Sequence, residues 1–476
     1  MSSIRPDAGP EPTVLSDSTG EAVSSPGPTA TLAEASRLAN GIEDPASRVE
    51  ALAAVSKALH KAGDVSRAAD AMSAALAAAE AIPEDAARAS WLARIAEVQA
   101  STGDLLSARA AVAKALETVP ETGDDDAQAD AIASIAQAQA ETGDAASALK
   151  TAERIATEFP RERTLSGIAL RLSSAGMFRA ALSASQAIAS PDTRAYAMTS
   201  IAWAQGRCGD VLGAQLSIAR ALEAASVFID VERVLLLVEL CRVQVSIGSN
   251  SGAADSMAEA LFVAESASEE SDRVWAFAHI ARNQASLGDP SQARHTVARA
   301  IAAAEGIAVD HDRANALCQI AEAQARIGDR TDALSSIAEA VEIVDRPGDD
   351  WDRDYILSQI AVAQATAGDN RAALATARCV KELPGPDALL SEICEVQCWE
   401  HNFREAIATA REISGARERS AAFAYVARYS AQDGNASLVG QAVVLALQAA
   451  RAIADDFEHA KVLVDIAAVQ LDAVAG

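Results

Sequence analysis

The sequence predicts an all-α protein, a right-handed α-solenoid of about eleven antiparallel helical hairpins in repeats of 33–40 residues, preceded by a disordered N-terminal tail. One glycine-centred pattern recurs at spacings of 40, 40, 33, 33, 39, 40, 40, 40, 33 and 33 residues. Apolar residues recur at three- and four-residue steps on both sides of it, which is the period of an amphipathic helix. The composition is 50% hydrophobic but only 4% aromatic, so small side chains dominate and favour close packing of many helices.

The N-terminal residues 1–30 are rich in Pro, Ser, Gly and Thr and have few large apolar side chains. Such a segment buries too little surface to offset its conformational entropy, so we expect a disordered tail. Residues 31–476 are expected to form the repeat array. We expect half-repeat caps at both ends of it, near Leu32–Ala39 and Lys461–Leu471, because a solenoid must cover its terminal apolar faces.

The turn of each hairpin is expected at a glycine, which in most copies is followed by aspartate. Glycine can adopt the left-handed conformation that ends a helix, and aspartate can cap the next helix by accepting from its free N–H groups. His401 takes the place of glycine in one copy. The glycines of the pattern are Gly63, Gly103, Gly143, Gly176, Gly209, Gly248, Gly288, Gly328, Gly368 and Gly434.

Two polar residues also recur in register with the turn. A glutamine lies four residues before most of the turn glycines, as Gln284 does before Gly288, and an arginine lies fifteen before, as Arg273 does. The glutamines could form a ladder of amides facing a ligand groove, and the arginines could form a basic stripe. Because both recur in phase with the core, we favour packing for the glutamines, and ion pairing and capping between repeats for the arginines.

The repeat resembles the tetratricopeptide repeat, a helical hairpin of about 34 residues. The clearest copy has Ile95, Ala96, Gly103, Asp104, Ala108, Val112, Ala115 and Pro120. The sequence differs from the family pattern in having glutamine where an aromatic residue is usual, and in the length of most repeats. The resemblance implies that the first helix of each hairpin lines a concave face, where residues 13, 10, 6, 3 and 2 before the turn point into a groove.

On that concave face the resemblance places a set of arginine and aromatic residues in the middle of the array. Arginine and aromatic side chains suit carboxylates, extended peptides or flat rings. The alternative is that the arginines are solvated surface residues and the tryptophans pack at hairpin edges. The candidate partner-binding residues are Tyr196, Trp203, Arg207, Arg242, Trp275, Arg282, Arg326 and Tyr355.

These features predict a non-enzymatic scaffold or adaptor that binds a peptide or protein partner in the concave groove. The alternative is a sensory or regulatory repeat protein whose curvature responds to a ligand. The phosphate-binding loops, nucleophile elbows and paired-histidine motifs of common enzymes are missing from the sequence. Cys394, Cys398 and His401 share one helix face, but their spacing is unlike that of structural zinc sites, so neither a metal nor a cofactor is expected.

Charge and hydropathy narrow the classes of partner and location. A formal net charge of −27 repels nucleic acid and anionic membranes, so the expected partner is a protein or peptide; a local basic patch would allow that partner to be acidic. No apolar run approaches the roughly 20 residues that cross a bilayer, so membrane insertion is not expected. Six scattered cysteines and the lack of an N-terminal apolar leader favour the cytoplasm. The oligomeric state stays open.

The order of the spacings also has a pattern. The series 40, 40, 33, 33 occurs near the N-terminus and again near the C-terminus. It suggests that a block of several hairpins was duplicated, and we expect the local curvature to change at the short repeats.

Overall fold

The computed structural model describes residues 26–119, 126–227, 231–345, 350–381 and 385–475. Most of the predicted tail, and Pro120 of the clearest repeat copy, lie outside these ranges. The described residues form 24 helices and no strand, which confirms the all-α prediction. Twenty-two of the helices pair, in chain order, into eleven antiparallel hairpins.

The first helix of each hairpin contains the residues before the turn, and it packs against the first helices of the neighbouring hairpins. The first helices are α2 (Pro45–Lys61), α4 (Asp85–Ser101), α6 (Asp126–Glu141), α8 (Glu158–Ser174), α10 (Pro191–Arg207), α12 (Val231–Ser246), α14 (Glu270–Ser286), α16 (Asp310–Ile327), α18 (Asp350–Thr366), α20 (Pro386–Trp399) and α22 (Ala416–Gln432).

The second helix of each hairpin accounts for the two repeat lengths. Second helices of 40-residue spacing have 14–17 residues, whereas those of 33-residue spacing have 8–10, so the extra residues add about two helical turns. The second helices are α3 (Val65–Glu80), α5 (Leu105–Thr118), α7 (Ala145–Ala152), α9 (Phe178–Gln186), α11 (Val211–Ala225), α13 (Asn250–Ser266), α15 (Pro290–Ala304), α17 (Arg330–Val344), α19 (Asn370–Ala377), α21 (Phe403–Glu412) and α23 (Ala436–Ala450).

The turns have the backbone conformation that the sequence predicts. All ten turn glycines have φ between +70° and +92°, the left-handed region in which a Cβ is unfavourable. At the turn after α4, the Asp104 N–H donates to the Gln99 carbonyl at 2.9 Å, and the Asp104 carboxylate accepts from the Ser107 N–H at 3.1 Å. His401 adopts φ +57°, and its Nδ1 lies 2.7 Å from the Asp433 carboxylate.

The recurring glutamine and arginine hold the hairpins together. Gln284 Oε1 accepts from the Thr296 hydroxyl at 2.8 Å, which ties the first helix to the second within one hairpin. The same bond joins Gln205 to Ser217, Gln324 to Ser336, Gln364 to Thr376 and Gln397 to Thr409. Arg88 donates to the carbonyl of Ile82 at 2.7 Å, so it anchors its hairpin to the preceding one.

The two remaining helices, α1 (Pro28–Gly41) and α24 (Asp456–Ala475), pack against each other although they lie at opposite ends of the described chain. The α24 helix also packs against α2, and its Lys461 ammonium lies 3.0 Å from the Glu50 carboxylate. The Lys61 ammonium lies 2.5 Å from the Asp472 carboxylate across the same junction. The array therefore closes on itself, and its two ends form a twelfth hairpin.

The closing hairpin keeps the register of the other eleven. The Thr31 hydroxyl donates to Gln470 Oε1 at 3.1 Å, as the hydroxyl eight residues after a turn does to the glutamine four residues before it. A turn position eight residues before Thr31 is 40 residues before Gly63, and a turn position four residues after Gln470 is 40 residues after Gly434. Around the closed array the spacings are then 40, 40, 33, 33, 39, 40 and 40, 40, 33, 33, 40, 40, which are two blocks of six hairpins.

Candidate functional site

The concave face of the array is formed by the first helices. The Arg171 guanidinium on α8 lies 3.0 Å from the Glu97 carboxylate on α4, although α6 lies between these helices. Neighbouring helix axes are about 8–10 Å apart, so side chains two helices apart can meet only where the surface curves inward. We call this concave surface the inner wall. Burial raises the pKa of Glu97, and the positive charge of Arg171 offsets part of this rise.

The predicted partner-binding residues lie on five consecutive first helices. Tyr196, Trp203 and Arg207 are on α10, and Arg242 is on α12. Trp275 and Arg282 are on α14, Arg326 is on α16 and Tyr355 is on α18. Tyr196 and Tyr355 are 40% and 52% exposed, and Arg207, Arg242 and Arg326 are also exposed. Trp203, Trp275 and Arg282 are half-buried.

Two of the four arginines have carboxylate partners. The Arg242 guanidinium lies 3.0 Å from Glu239, one helical turn earlier on α12. The Arg282 guanidinium on α14 lies 2.6 Å from Glu322, which occupies the same register position one hairpin later. Neither acid is among the candidate partner-binding residues, although Glu322 lies six residues before its turn glycine, at one of the expected groove positions. Positive and negative charges therefore alternate along this part of the inner wall.

The other two arginines, Arg207 and Arg326, make no ion pair with the described residues. Each lies two residues before its turn glycine, at the end of a first helix. Arginine keeps its charge at any physiological pH and has a planar fork of donors that matches a carboxylate. These two side chains are therefore available to an anionic partner.

The two tryptophans combine packing with exposure. Trp203 packs against the buried cluster around α10, and Trp275 packs against the buried cluster around α14. A half-buried indole has a fixed orientation, because its buried edge is held by the core while the remaining edge stays in solvent. Each tryptophan is thus partly packed against the core and partly exposed.

A histidine that the sequence analysis did not include completes the aromatic surface. The His279 ring stacks on Trp275 with ring centroids 5.5 Å apart and planes 3° from parallel. Burial and the Arg282 and Arg242 charges, opposed by Glu239, together lower the pKa of His279 to about 4. The imidazole is therefore neutral near pH 7, so it presents a flat, uncharged face beside two guanidinium groups.

The phenol of Tyr196 belongs to the same surface. Burial raises its pKa, and the carboxylates of Glu232, Asp192 and Glu239 raise it further. Because Glu232 and Glu239 are on α12, the Tyr196 side chain on α10 lies near the next hairpin. The structure thus brings Tyr196, Arg242, Trp275 and Arg282 into one surface across α10–α14, whereas Tyr355 has no polar or ring contact with these residues.

The sign of the charge changes farther along the inner wall. Burial raises the pKa of Glu392 on α20, and the carboxylates of Glu322 and Glu395 raise it further. Carboxylates that raise one another's pKa disfavour another negative charge. A further negative charge is therefore disfavoured at this part of the inner wall.

The cysteine and histidine set around α20 is divided among separate partners. Cys394 is buried and its Sγ lies 3.4 Å from the Ala406 carbonyl, while His401 contacts Asp433. Neighbouring Cys398 and burial raise the pKa of the Cys394 thiol, which disfavours a metal-binding thiolate. Within the described ranges, no three His, Cys, Asp or Glu side chains are grouped so that they could hold a metal ion. Each described helix is too short or too polar to cross a bilayer.

No family model matches the chain, and no curated protein matches its sequence. Among solved structures, the chain is similar to Ton1535 from Thermococcus onnurineus NA1, with 16% identity over 83% of this chain and 99% of that one and a TM-score of 0.28. It is similar to yeast Tom70, with 15% identity over 88% and 95% of the two chains and a TM-score of 0.31. A tetratricopeptide repeat protein from Parabacteroides merdae has 12% identity over 60% and 98%, with a TM-score of 0.28.

At these identities and TM-scores the similarities carry no argument about this chain. The chain is a tetratricopeptide-like α-solenoid on the evidence of its own hairpins, turns and repeat register.

Proposed function

We propose that the chain is a non-enzymatic binding module that holds an extended acidic segment of a protein partner against the inner wall between α10 and α18. The observation that carries the proposal is the alternation of available arginines with held aromatic rings on one concave surface. Arg207 and Arg326 supply charge without an ionic partner, and the Trp275–His279 stack supplies a flat face.

Local charge favours an acidic segment although the whole chain is acidic. Between α10 and α16 the candidate surface has four arginines, Arg207, Arg242, Arg282 and Arg326, against the two carboxylates that pair with them. The difference, four minus two, is two positive charges on a molecule of net charge −27, not counting Asp192 and Glu232 at the start of α10 and α12. Partner carboxylates would gain charge-assisted hydrogen bonds from the arginines on this surface.

The closed array restricts the shape of the partner. Twelve first helices spaced about 8–10 Å apart enclose a circle roughly 30–38 Å across between helix axes. A helix with side chains is about 10–12 Å wide, so the opening suits an extended or helical segment but excludes a folded domain of ordinary size. The expected partner is therefore a tail, loop or helix that enters the opening.

The experiment compares two double variants with the same change in charge. Arg207→Glu with Arg326→Glu reverses the two available charges on the inner wall. Arg179→Glu with Arg404→Glu reverses two exposed arginines on the second helices α9 and α21. The probe is a fluorescein-labelled peptide of alternating glutamate and leucine, with a lysine–leucine peptide of the same length as the control ligand.

We expect the acidic peptide to bind the native chain, to bind the inner-wall variant at least tenfold more weakly, and to bind the second-helix variant with unchanged affinity. Equal binding to both variants, or preference of the native chain for the basic peptide, contradicts the proposal. Circular dichroism establishes that each variant stays helical.

A further inference from the structure

Basic residues recur at one place on the second helices. Eleven residues after the turn glycine, within the second helix, lie Lys114 on α5, Arg220 on α11 and Arg299 on α15. Two of these pair with a glutamate 34 residues earlier, at the end of the preceding second helix. Lys114 pairs with Glu80, and Arg299 pairs with Glu265.

The third basic residue, Arg220, has no glutamate at the equivalent position. The residue 34 positions earlier is Gln186, at the end of α9, and an amide does not supply the negative charge. Arg220 makes no ion pair with the described residues. The short repeat before α10 contributes to this difference, because its second helix α9 ends about two turns earlier than α3 or α13 does.

A second arginine at the same place lacks the carboxylate partner that its equivalents have in two other hairpins. The arginine fifteen residues before the turn pairs, in two other hairpins, with a glutamate eleven after the turn: Arg233 with Glu259, and Arg313 with Glu339. In the hairpin of α10 and α11 the equivalent arginine is Arg194, and the residue eleven after the turn is Arg220 itself. This hairpin therefore has two guanidinium groups, Arg194 and Arg220, where those two hairpins have one guanidinium and one carboxylate.

Both arginines line one cavity, of about 520 Å³, between α9, α10 and α11. Gln186 and Ser226 contribute an amide and a hydroxyl to its lining, and Met198 and Ala224 contribute apolar surface. Arg194 donates to the Ile188 carbonyl at 3.0 Å, which fixes that side chain. Glu223 also lines the cavity but forms no ion pair with either arginine.

We propose that this cavity binds a small organic acid through its carboxylate, held between Arg194 and Arg220. The hairpins of Lys114 and Arg299 place glutamate carboxylates against the residues equivalent to Arg220, so the local spacing suits that group. A guanidinium accepts a carboxylate with two parallel hydrogen bonds, and the volume is that of a small-molecule site. The Gln186 amide supplies a further donor, whereas the Ser226 hydroxyl donates to the Glu223 carbonyl at 2.7 Å. The site lies apart from the candidate inner-wall surface, so it is independent of the proposed peptide binding.

The test is calorimetric titration of the full chain with glutarate, whose carboxylates resemble the end of a glutamate side chain, and separately with inorganic phosphate. Gln186→Glu is the decisive variant, because it recreates the internal pair that Glu80 makes with Lys114 and so occupies the site. Arg220→Gln removes one guanidinium. Arg299→Gln is the matched control, with the same change in net charge at an arginine that already has its glutamate.

Glutarate is expected to bind the native chain and the Arg299→Gln variant alike, and to bind the Gln186→Glu and Arg220→Gln variants at least tenfold more weakly. The Gln186→Glu variant is expected to unfold at the native temperature or above it, which separates lost binding from lost folding. The proposal is overturned if the native chain does not bind glutarate at millimolar concentration, or if Gln186→Glu binds it equally well. Tighter binding of phosphate than of glutarate would overturn the assignment to carboxylates.

Discussion

Thr31 and Gln470, 439 residues apart in the chain, form the same hydroxyl-to-amide hydrogen bond that joins the two helices of a covalently connected hairpin. The Thr31–Gln470 distance is 3.1 Å, and both side chains are buried. Gln470 also donates from its Nε2 to the Pro26 carbonyl at 2.7 Å. The two ends of the array thus meet in the register that defines every repeat.

Removing residues 1–41, which include α1, is expected to open the array. The α24 helix would lose the surface that covers its apolar side, including Leu463 and Ile466, which are now buried. We expect the radius of gyration measured by small-angle X-ray scattering to increase, and the chain to associate at high concentration because an apolar face is exposed.

The control for this truncation removes residues 1–25 and keeps α1. That chain is expected to scatter as a closed array. An unchanged radius of gyration in the chain lacking residues 1–41 would mean that α24 does not need α1 to stay against α2.

Replacing Thr31 with valine tests the closing bond itself. The substitution leaves Gln470 Oε1 buried without its hydroxyl donor, which costs about 1–3 kcal/mol. The matched change is Thr376→Val, which removes the same bond to Gln364 from a covalent hairpin. Both should lower local stability by similar amounts, measured by hydrogen exchange of α1 for the first variant and α19 for the second.

Comparing hydrogen exchange in the two variants shows whether the bond between the chain ends forms in solution. If Thr376→Val accelerates exchange in its hairpin while Thr31→Val has no effect on α1, the closing bond is not formed in solution. Hydrogen exchange is preferred to a single unfolding midpoint, because repeat arrays can unfold in parts.

The fold was predictable because every repeat contains its own local signals. The turn glycine, its following aspartate and the apolar steps each act within about one hairpin, so the eleven hairpins follow from the sequence alone. Closure was not predicted, because it joins residues at opposite chain ends and no local pattern requires that. A weak signal existed: Thr31 and Gln470 occupy the two register positions of the hydroxyl-to-glutamine bond.

The candidate inner-wall surface was predictable only in part. The repeat register identified Arg242 and Arg282 as first-helix residues, but not their ion pairs. Glu239 is three residues before Arg242 on the same helix, so that pair was readable from the spacing. The Arg282–Glu322 ion pair depends on how closely α14 and α16 approach, so spacing alone could not predict it. The stacking of His279 depends on the ring orientation of Trp275. Curvature and side-chain orientation depend on packing between hairpins rather than on spacing within one.

The neutral imidazole of His279 predicts a pH dependence of stability. Its pKa is about 4 in the folded chain, against an ordinary value of 6.5. Between those values the unfolded chain binds more protons, so stability falls as pH decreases through this window. The expected loss from pH 7 to pH 4.5 is about 1–2 kcal/mol, less than the full pKa difference implies, because part of the ring is exposed to solvent.

The variant His279→Gln isolates this contribution. Glutamine does not titrate, so the variant should lose less stability than the native chain over the same pH range in urea unfolding. Carboxyl groups with raised pKa, such as Glu97 and Glu392, oppose the trend, but they are present in both chains and cancel in the difference. An identical pH dependence in the two chains would show that the His279 pKa is not lowered.

Replacing glycine by alanine is expected to destabilise the chain at Gly288, which has a left-handed backbone, and to stabilise it at Gly440, which lies in a helix. Gly288 has φ +84° at a turn, and a Cβ there would meet no atom within 4 Å, so Gly288→Ala isolates backbone strain. The left-handed conformation costs an alanine about 1–2 kcal/mol. Gly440 lies inside α23 with a Cβ position that is equally open, so Gly440→Ala should stabilise the chain by about 0.5–1 kcal/mol.

Thermal unfolding of the two single variants and their combination measures both effects. The two sites lie on separate hairpins, so their changes should add in the combined variant. A neutral Gly288→Ala would mean that the turn can leave the left-handed region without cost, and the prediction that glycine fixes each hairpin turn would then be wrong. A destabilising Gly440→Ala would mean that α23 packs more tightly at this position than the open space around it indicates.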